Sequence, residues 1–389
     1  MNILILAPQP FYQERGTPIA VKLLAQTLVT QGHDVHLLVF AEGEQISLSG
    51  VTIHRHVTLP GISGIKPGLS LKKLLCDFFL FMKCIQLVRK QNFQLIHAVE
   101  ESVFMARVIQ TVYKIPYVYD MDSCMSVQLM DKFPSLGAVR RLMEWMEKVA
   151  ITGSHGVLPV CEALENIVKK YAPDKLVVRL EDISLLESGT EGEEDLRAEL
   201  GIDGIILMYV GNLVQYQGIA LLLEAFKQAV SRKNNIYLVL IGGNKKDIQF
   251  YTDQSGQLGI SEKVFFCGGR PVNQLGYYLK QADILVSPRI QGNNTPMKIY
   301  SYLDSGRVVL ATNLPTHTQV MDEEIACLVE PDPAGMAKGM VILAEDTSLR
   351  ETLARNAQQR VQEEYSFPAF KRKLTFFYDK LQQELSSRL

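Results

Sequence analysis

The chain has 389 residues, more than one ordinary hydrophobic core organises and about right for two domains of similar size. Its 40 Lys and Arg residues nearly cancel 42 Asp and Glu, a formal net charge of −2, so no global positive field exists and nucleic acid is not an expected partner. Six cysteines, at positions 76, 84, 124, 161, 267 and 327, show neither close pairing nor CxxC spacing, which fits buried thiols in a reducing compartment and no metal site.

The first predicted strand is Ile3–Leu6. It opens the chain without the basic region, long apolar region and cleavage site of a secretory signal, so a cytoplasmic protein is expected. Next comes a helical pattern with Ile19, Leu23, Leu24 and Leu28 on one face, ended by Gly32 where a left-handed cap residue is wanted. Strands follow at Val35–Phe40 and Val51–Val57. Leu69–Val88 comes nearest to a membrane span, but Lys72, Lys73, Asp77, Lys83 and Gln86 interrupt it. With Phe78, Phe79, Phe81 and Met82 it reads either as a basic amphipathic helix in peripheral contact with the inner membrane surface or as an ordinary packing helix. Further strands are expected at Leu95–Val99, Tyr117–Met121, Gly156–Val160 and Leu176–Leu180.

The polar run ESGTEGEED at 187–195 marks a linker between a first domain, 1–186, and a second, 196–366. The second domain's predicted strands are Ile205–Val210, Ile236–Ile241, Val264–Cys267, Ile284–Ser287, Val308–Ala311 and Cys327–Val329. From Ala334 the pattern is largely helical, and a closing helix within 367–389, with Pro368 near its start, can pack back on the first domain. Strands alternating with helices imply parallel sheets covered on both faces. The expected fold class is therefore α/β, two doubly wound Rossmann-like domains facing each other across a cleft at the carboxyl ends of their strands, the default ligand site.

Several loop residues fall at those strand ends. Gly211 and the pair Gly242-Gly243 close two strands of the second domain, where glycine lets backbone approach a nucleotide or simply makes a tight turn. Arg289 follows the strand Ile284–Ser287 and offers a planar fork to a diphosphate. In Asn293-Asn294-Thr295-Pro296, Asn294 or Thr295 can cap a helix whose first position is Pro296, leaving N–H groups free for an anion. Lys298 in that first turn opposes the helix dipole unless an anion sits there, or else it points into solvent. In the first domain, Arg15 and Gly16 follow the first strand, either reaching a phosphate or forming a solvated turn. His97 with Glu100 and Glu101, Asp120 with Asp122, and Cys161 with Glu162 end later strands. Asp120 and Asp122 can hold sugar hydroxyls or deprotonate an acceptor, whereas His97 in an apolar strand reads more readily as a satisfied core residue.

Five ordered blocks resemble glycosyltransferase family 4: Arg15-Gly16-Thr17-Pro18, Gly32-His33-Asp34-Val35, Tyr209–Leu213 with Gln217-Gly218, Ala282–Pro288, and Thr295–Gly306 followed by Val308–Thr312. The resemblance implies the GT-B fold and retaining transfer of a hexose-type sugar from a nucleotide diphosphate sugar, without cofactor or metal, to a glycan or lipid-linked hydroxyl acceptor. It implies a donor site of Arg15, Gly16, Gly211, Asn212, Gln217, Gly243, Arg289, Asn293, Asn294, Thr295, Pro296, Met297, Lys298 and Ser301. Asp120, Asp122 and His97 are the catalytic candidates, with Asp120-Met121-Asp122-Ser123 where many members carry a histidine near the reacting sugar. The chain departs from the family's pattern at four charges. Two glutamates separated by seven residues become Asn293 and Ser301, and an arginine and a lysine that neutralise the diphosphate become Asn212 and Gln217. Two acids and two bases are lost together, so the pocket's expected charge changes little, and Arg289 and Lys298 become the candidates for the phosphate contacts. The same fold also serves epimerases and phosphorylases, and the missing charges are the argument for a nucleotide- or sugar-binding relative without catalysis.

Overall fold

Short runs of Ile, Leu and Val without polar alternation must be covered on both faces, and they become the strands of two parallel sheets. In the computed structural model, which describes residues 1–13, 16–58, 61–62, 64–65, 70–124, 137–186, 195–292 and 294–387, the chain divides into two units, Met1–Glu181 with Lys371–Leu389, and Asp182–Phe370.

The first unit holds β1 (Asn2–Leu6), β2 (Asp34–Val39), β3 (Val51–Arg55), β4 (Leu95–Val99), β5 (Tyr117–Met121) and β6 (Gly156–Pro159), in the order β3-β2-β1-β4-β5-β6. Its helices are α1 (Gly16–Thr30), α2 (Leu71–Lys90), α3 (Ser102–Tyr113), α4 (Gly137–Gly153) and α5 (Glu162–Tyr171). β1 runs parallel to both neighbours, with Ile5 opposite Leu37 of β2 and His97 of β4. The order reverses there, and the carboxyl ends of strands at such a reversal are where open α/β sheets bind ligands.

The second unit repeats the plan with β7 (Ile205–Val210), β8 (Ile236–Ile241), β9 (Val264–Gly268), β10 (Ile284–Ser287), β11 (Val308–Thr312) and β12 (Cys327–Val329), in the order β12-β11-β10-β7-β8-β9. The helices are α6 (Leu196–Leu200), α7 (Ile219–Val230), α8 (Lys245–Leu258), α9 (Leu275–Gln281), α10 (Lys298–Asp304), α11 (Pro315–Thr318), α12 (Pro333–Glu345) and α13 (Thr347–Glu364). Side-chain caps fix several starts: the Asn244 amide oxygen accepts from Lys246 and Asp247 N–H at 3.0 Å, and Asp332 caps α12, whose first residue is Pro333. Each such cap stabilises its helix by about 1 kcal/mol.

The last helix, α14 (Phe367–Ser386), buries Leu374, Phe377, Tyr378 and Leu381 at helical spacing. From Lys371 on it belongs to the first unit, where Gln31 donates to Thr375 Oγ1 at 2.9 Å and Lys373 pairs with Glu181 at 2.5 Å.

Two local expectations are corrected. Leu176–Leu180 forms no full strand: it follows β6 through the Val157 N–H to Leu176 and Val178 N–H to Val157 bonds, yet only Val177 is bridged. The break between units falls at Glu181, before the polar linker, because the Ser184 N–H donates to Tyr365 and the Leu185 N–H to Ser301, tying this segment to the second unit. Of the predicted linker, 187–194 lie outside the described residues.

Candidate active site

In the second unit β7 and β10 are neighbours at the reversal, and the segments leaving their carboxyl ends lie against each other. Contact this close demands glycine. At Gly218, with φ +75°, a Cβ would stand 1.9 Å from the Pro288 carbonyl oxygen, and Ile290 N–H donates to Tyr216 O at 3.0 Å beside it. Gly211, with φ +151°, leaves a surface where an added Cβ would lie 3.3 Å from Lys298 Nζ. Gly243 instead faces Leu213, so it serves packing behind the loop.

Lys298 is the first residue of α10 and turns back over β7. Its Nζ lies 3.9 Å from the centroid of the Tyr209 ring, 5.8 Å from that of Tyr302, and donates to Gln217 Oε1 at 3.3 Å. Both rings are locked: the Tyr209 hydroxyl donates to Asn212 O at 2.6 Å, and the Tyr302 hydroxyl accepts from Val210 N–H at 2.7 Å. Part of the lysine side chain stays exposed, but its ammonium is enclosed; burial, helped by the Arg289 charge, pushes its pKa well below the usual lysine value. Arg289 stacks over Tyr216 at 5.2 Å, its Nε donates to Gln291 O at 2.7 Å, and burial lowers its pKa as well. Two enclosed basic groups thus sit together at the strand reversal, the lysine disfavoured as a cation until an anion joins it.

A buried clamp holds the Arg289 segment. Thr312 Oγ1 at the end of β11 donates to Arg289 O at 2.6 Å, and Thr316 Oγ1 donates to Asn294 O at 2.7 Å. His317 is fully buried, with Nδ1 2.9 Å from Thr312 O and Nε2 2.8 Å from Ser287 Oγ. A carbonyl only accepts, so Nδ1 carries the proton and Nε2 accepts from the serine. Burial, with the charges of Lys298 and Arg289, depresses His317 to about 4 and keeps the ring neutral. Sequence reasoning missed Thr312, Thr316 and His317; their position just past β11, next to β10, was the available signal.

The structure corrects the predicted cap. α10 starts at Lys298, no side chain caps it, and Pro296 and Met297 form the preceding turn through the Ile299 N–H to Pro296 O bond of 2.9 Å. Asn294 and Thr295 therefore do not cap it; Thr295 Oγ1 is buried without a partner among the described residues, and the Asn294 carbonyl is held by Thr316. Ser301 is fully buried, with Oγ accepting from Leu185 N–H at 3.0 Å. Arg15 and Asn293 lie outside the described residues. Gly16 opens α1, and a Cβ there would meet none of the protein's own described atoms within 4 Å.

In the first unit His97 and Asp120 come together. His97 is fully buried; its Nε2 lies 3.1 Å from Asp120 Oδ2 and its Nδ1 2.7 Å from the Tyr378 hydroxyl of α14. An ionised Asp120 only accepts, so Nε2 carries the proton and Nδ1 accepts from the tyrosine. Both ring nitrogens of His97 are thus engaged inside the core, one of them on Asp120. The Asp120 side chain keeps 16% of its surface exposed at the end of β5, and Asp122 follows it half-buried. Nearby, Lys73 of α2 pairs with Glu101 after β4, and Asp77 is raised to about 6 by burial and Glu100, opposed by Lys73. Among the described residues no group of three or more His, Cys, Asp or Glu could hold a metal.

Two family models match the chain in succession, Glycosyltransferase Family 4 over residues 15–179 and Glycosyl transferases group 1 over 192–360. An uncharacterized glycosyltransferase of Methanocaldococcus jannaschii is 23% identical over 392 residues, 96% of each chain. The lipopolysaccharide 1,2-N-acetylglucosaminetransferase of Salmonella typhimurium is 29% identical over 130 residues, 31% of this chain and 34% of that protein. Among solved structures, Anabaena HepE in complex with UDP is similar with a TM-score of 0.76 at 16% identity, covering 98% of this chain and 100% of that one. Likeness at that identity speaks for the fold, which is GT-B, while the two models account for both units in order. The chain thus belongs to glycosyltransferase family 4, as its group 1 and family 4 halves together require.

Proposed function

We propose that the protein transfers a sugar from a nucleotide diphosphate sugar to a hydroxyl of a glycan or lipid-linked acceptor, with retention of configuration, in cell-surface glycan or glycolipid synthesis on the cytoplasmic side of a membrane. One observation carries the donor half: Lys298 Nζ reaches Gln217 Oε1, the position where the family's pattern has a lysine. A cation supplied from α10 replaces the one lost from the β7 loop, and Arg289 supplies the second. In the reaction the bond from the anomeric carbon to the diphosphate oxygen breaks, a bond to the acceptor oxygen forms, and the acceptor hydroxyl's proton passes to the departing diphosphate oxygen. The departing diphosphate gains charge, which two enclosed cations stabilise without a metal. Lys298, depressed while unliganded, regains its proton affinity as the anion arrives. Asp120 accepts a hydrogen bond from a sugar or acceptor hydroxyl, its carboxylate oriented by His97 and Tyr378.

The Anabaena neighbour was solved with UDP, which makes UDP the first nucleotide to try. Calorimetric titration with UDP, GDP, ADP and dTDP is expected to give one micromolar ligand, weakened about tenfold, or about 1.4 kcal/mol, by Lys298→Ala and again by Arg289→Ala. No binding at millimolar nucleotide would sink the donor assignment.

A further inference from the structure

The helices of the first unit leave an apolar surface that its own core does not use. β3 to β4, β4 to β5 and β5 to β6 all step toward the same edge of the sheet, so right-handed crossovers put α2, α3 and α4 on one face. α2 turns Cys76, Leu80, Cys84 and Leu87 inward. On its opposite side Leu71, Leu74, Leu75, Phe78 and Met82 follow helical spacing as a single stripe, with Leu71 86%, Phe78 55% and Met82 50% exposed. A helix apolar on both sides is ordinarily covered on both sides, and contiguous exposed apolar groups on this scale mark an interaction site. The neighbouring helices continue the surface: Val108 and Val112 of α3, then Leu142 and Trp145 of α4, with the tryptophan 60% exposed.

Charge selects the partner. Lys72, Lys83 and Lys90 fall seven and eleven residues apart, hence along one flank of the apolar stripe, and Arg89 ends it. α2 carries five basic residues against the single acid Asp77, and α4 adds exposed Arg141 and Lys148, its Arg140 being paired with Glu144 at 2.7 Å, in a chain whose formal net charge is −2. We propose that the outer face of α2, α3 and α4 docks on an anionic lipid bilayer, the Leu and Phe groups entering the headgroup boundary and the lysines contacting lipid phosphates. Apolar stripe, flanking lysines and an exposed indole are the three features such a surface uses. A protein partner would be expected to offer acidic side chains rather than a uniform field, and the spread of basic groups over two helices fits a surface better than a point contact. No helix among the described residues is long and apolar enough to cross a membrane, so this contact is peripheral. The inference stands apart from the donor chemistry, since none of these residues belongs to the donor segments.

Trp145 is the only tryptophan in the chain, so its emission reports this face directly. The full-length protein is mixed with vesicles of phosphatidylcholine alone, or of phosphatidylcholine and phosphatidylglycerol in equal parts, and followed by sedimentation and fluorescence. Expected are sedimentation and a blue shift with the anionic vesicles, both reduced about tenfold or more in the double variant Phe78→Glu, Met82→Glu and weakened by salt. The variant's circular dichroism and nucleotide titration should match wild type, which separates loss of docking from misfolding and from failure of the donor assignment. Absence of sedimentation with anionic vesicles, or undiminished sedimentation of the variant, overturns the proposal. So does a lipid-independent dimer that the variant dissolves, since the occupant would then be a second copy.

Discussion

Two titratable groups outside the reacting atoms, one fully buried and one half-buried, set opposite pH responses. His317 falls to about 4 from a free value of 6.5, so the unfolded chain takes its proton first on acidification. Stability owed to the neutral ring is whole above the free value and is lost as pH falls from about 6.5 toward 4, by about 3 kcal/mol. His317→Gln should flatten that slope in urea unfolding series; an unchanged slope would remove His317 as its source. Asp77 is raised to about 6 from 3.8, so its carboxyl favours the folded state when protonated and penalises it once ionised. Being only half-buried, it is discounted for solvent to about 1–2 kcal/mol. Asp77→Asn should therefore raise stability at pH 7.5 and change little near pH 3.5, measured by urea midpoints at the two values.

At the scale of elements, the donor segments depend on how closely β7 and β10 release their loops. Gly218→Ala forces a Cβ into the Pro288 carbonyl at a left-handed backbone position, so it should destabilise by about 1–3 kcal/mol and weaken nucleotide binding together. A lower melting temperature with intact nucleotide affinity would show that the contact is structural only. α14 offers a cleaner separation. Tyr378→Phe removes the donor to His97 Nδ1 without moving the ring, so the orientation of Asp120 loosens while the Phe377 and Leu381 packing stays. A fall in kcat with little change in donor affinity is expected, and unchanged kcat would leave Tyr378 as a core residue. Periodicity made these elements legible, since apolar runs and helical stripes reflect burial within one element. Lys298 was legible as a candidate, but the start of its helix was not: Pro296 and Met297 close a turn whose bonds are local in space and unmarked by any capping residue.

For the whole molecule, a nucleotide that binds only the folded chain should raise its stability by about 2.7 kcal/mol at a hundredfold excess over Kd, read as a shift in melting temperature that a tenfold loss of affinity in Lys298→Ala cuts roughly in half. The alternation of strands and helices determined two parallel sheets by itself, because a strand apolar on both faces can be satisfied only between helical layers. The ordered blocks at strand ends determined the family, and with it the general position of the donor loops. Tertiary structure decided the rest. Gln217 and Lys298 are 81 residues apart in sequence, yet their side chains meet because β7 and β10 pair; no spacing rule expresses that adjacency. Likewise His97 reads as one polar residue in an apolar strand until β5 and α14 bring Asp120 and Tyr378 to its two nitrogens. Sequence records what each residue must hide or expose along its own element, whereas the pairing of strands and the return of the last helix decide which charges and hydrogen-bonding groups face one another.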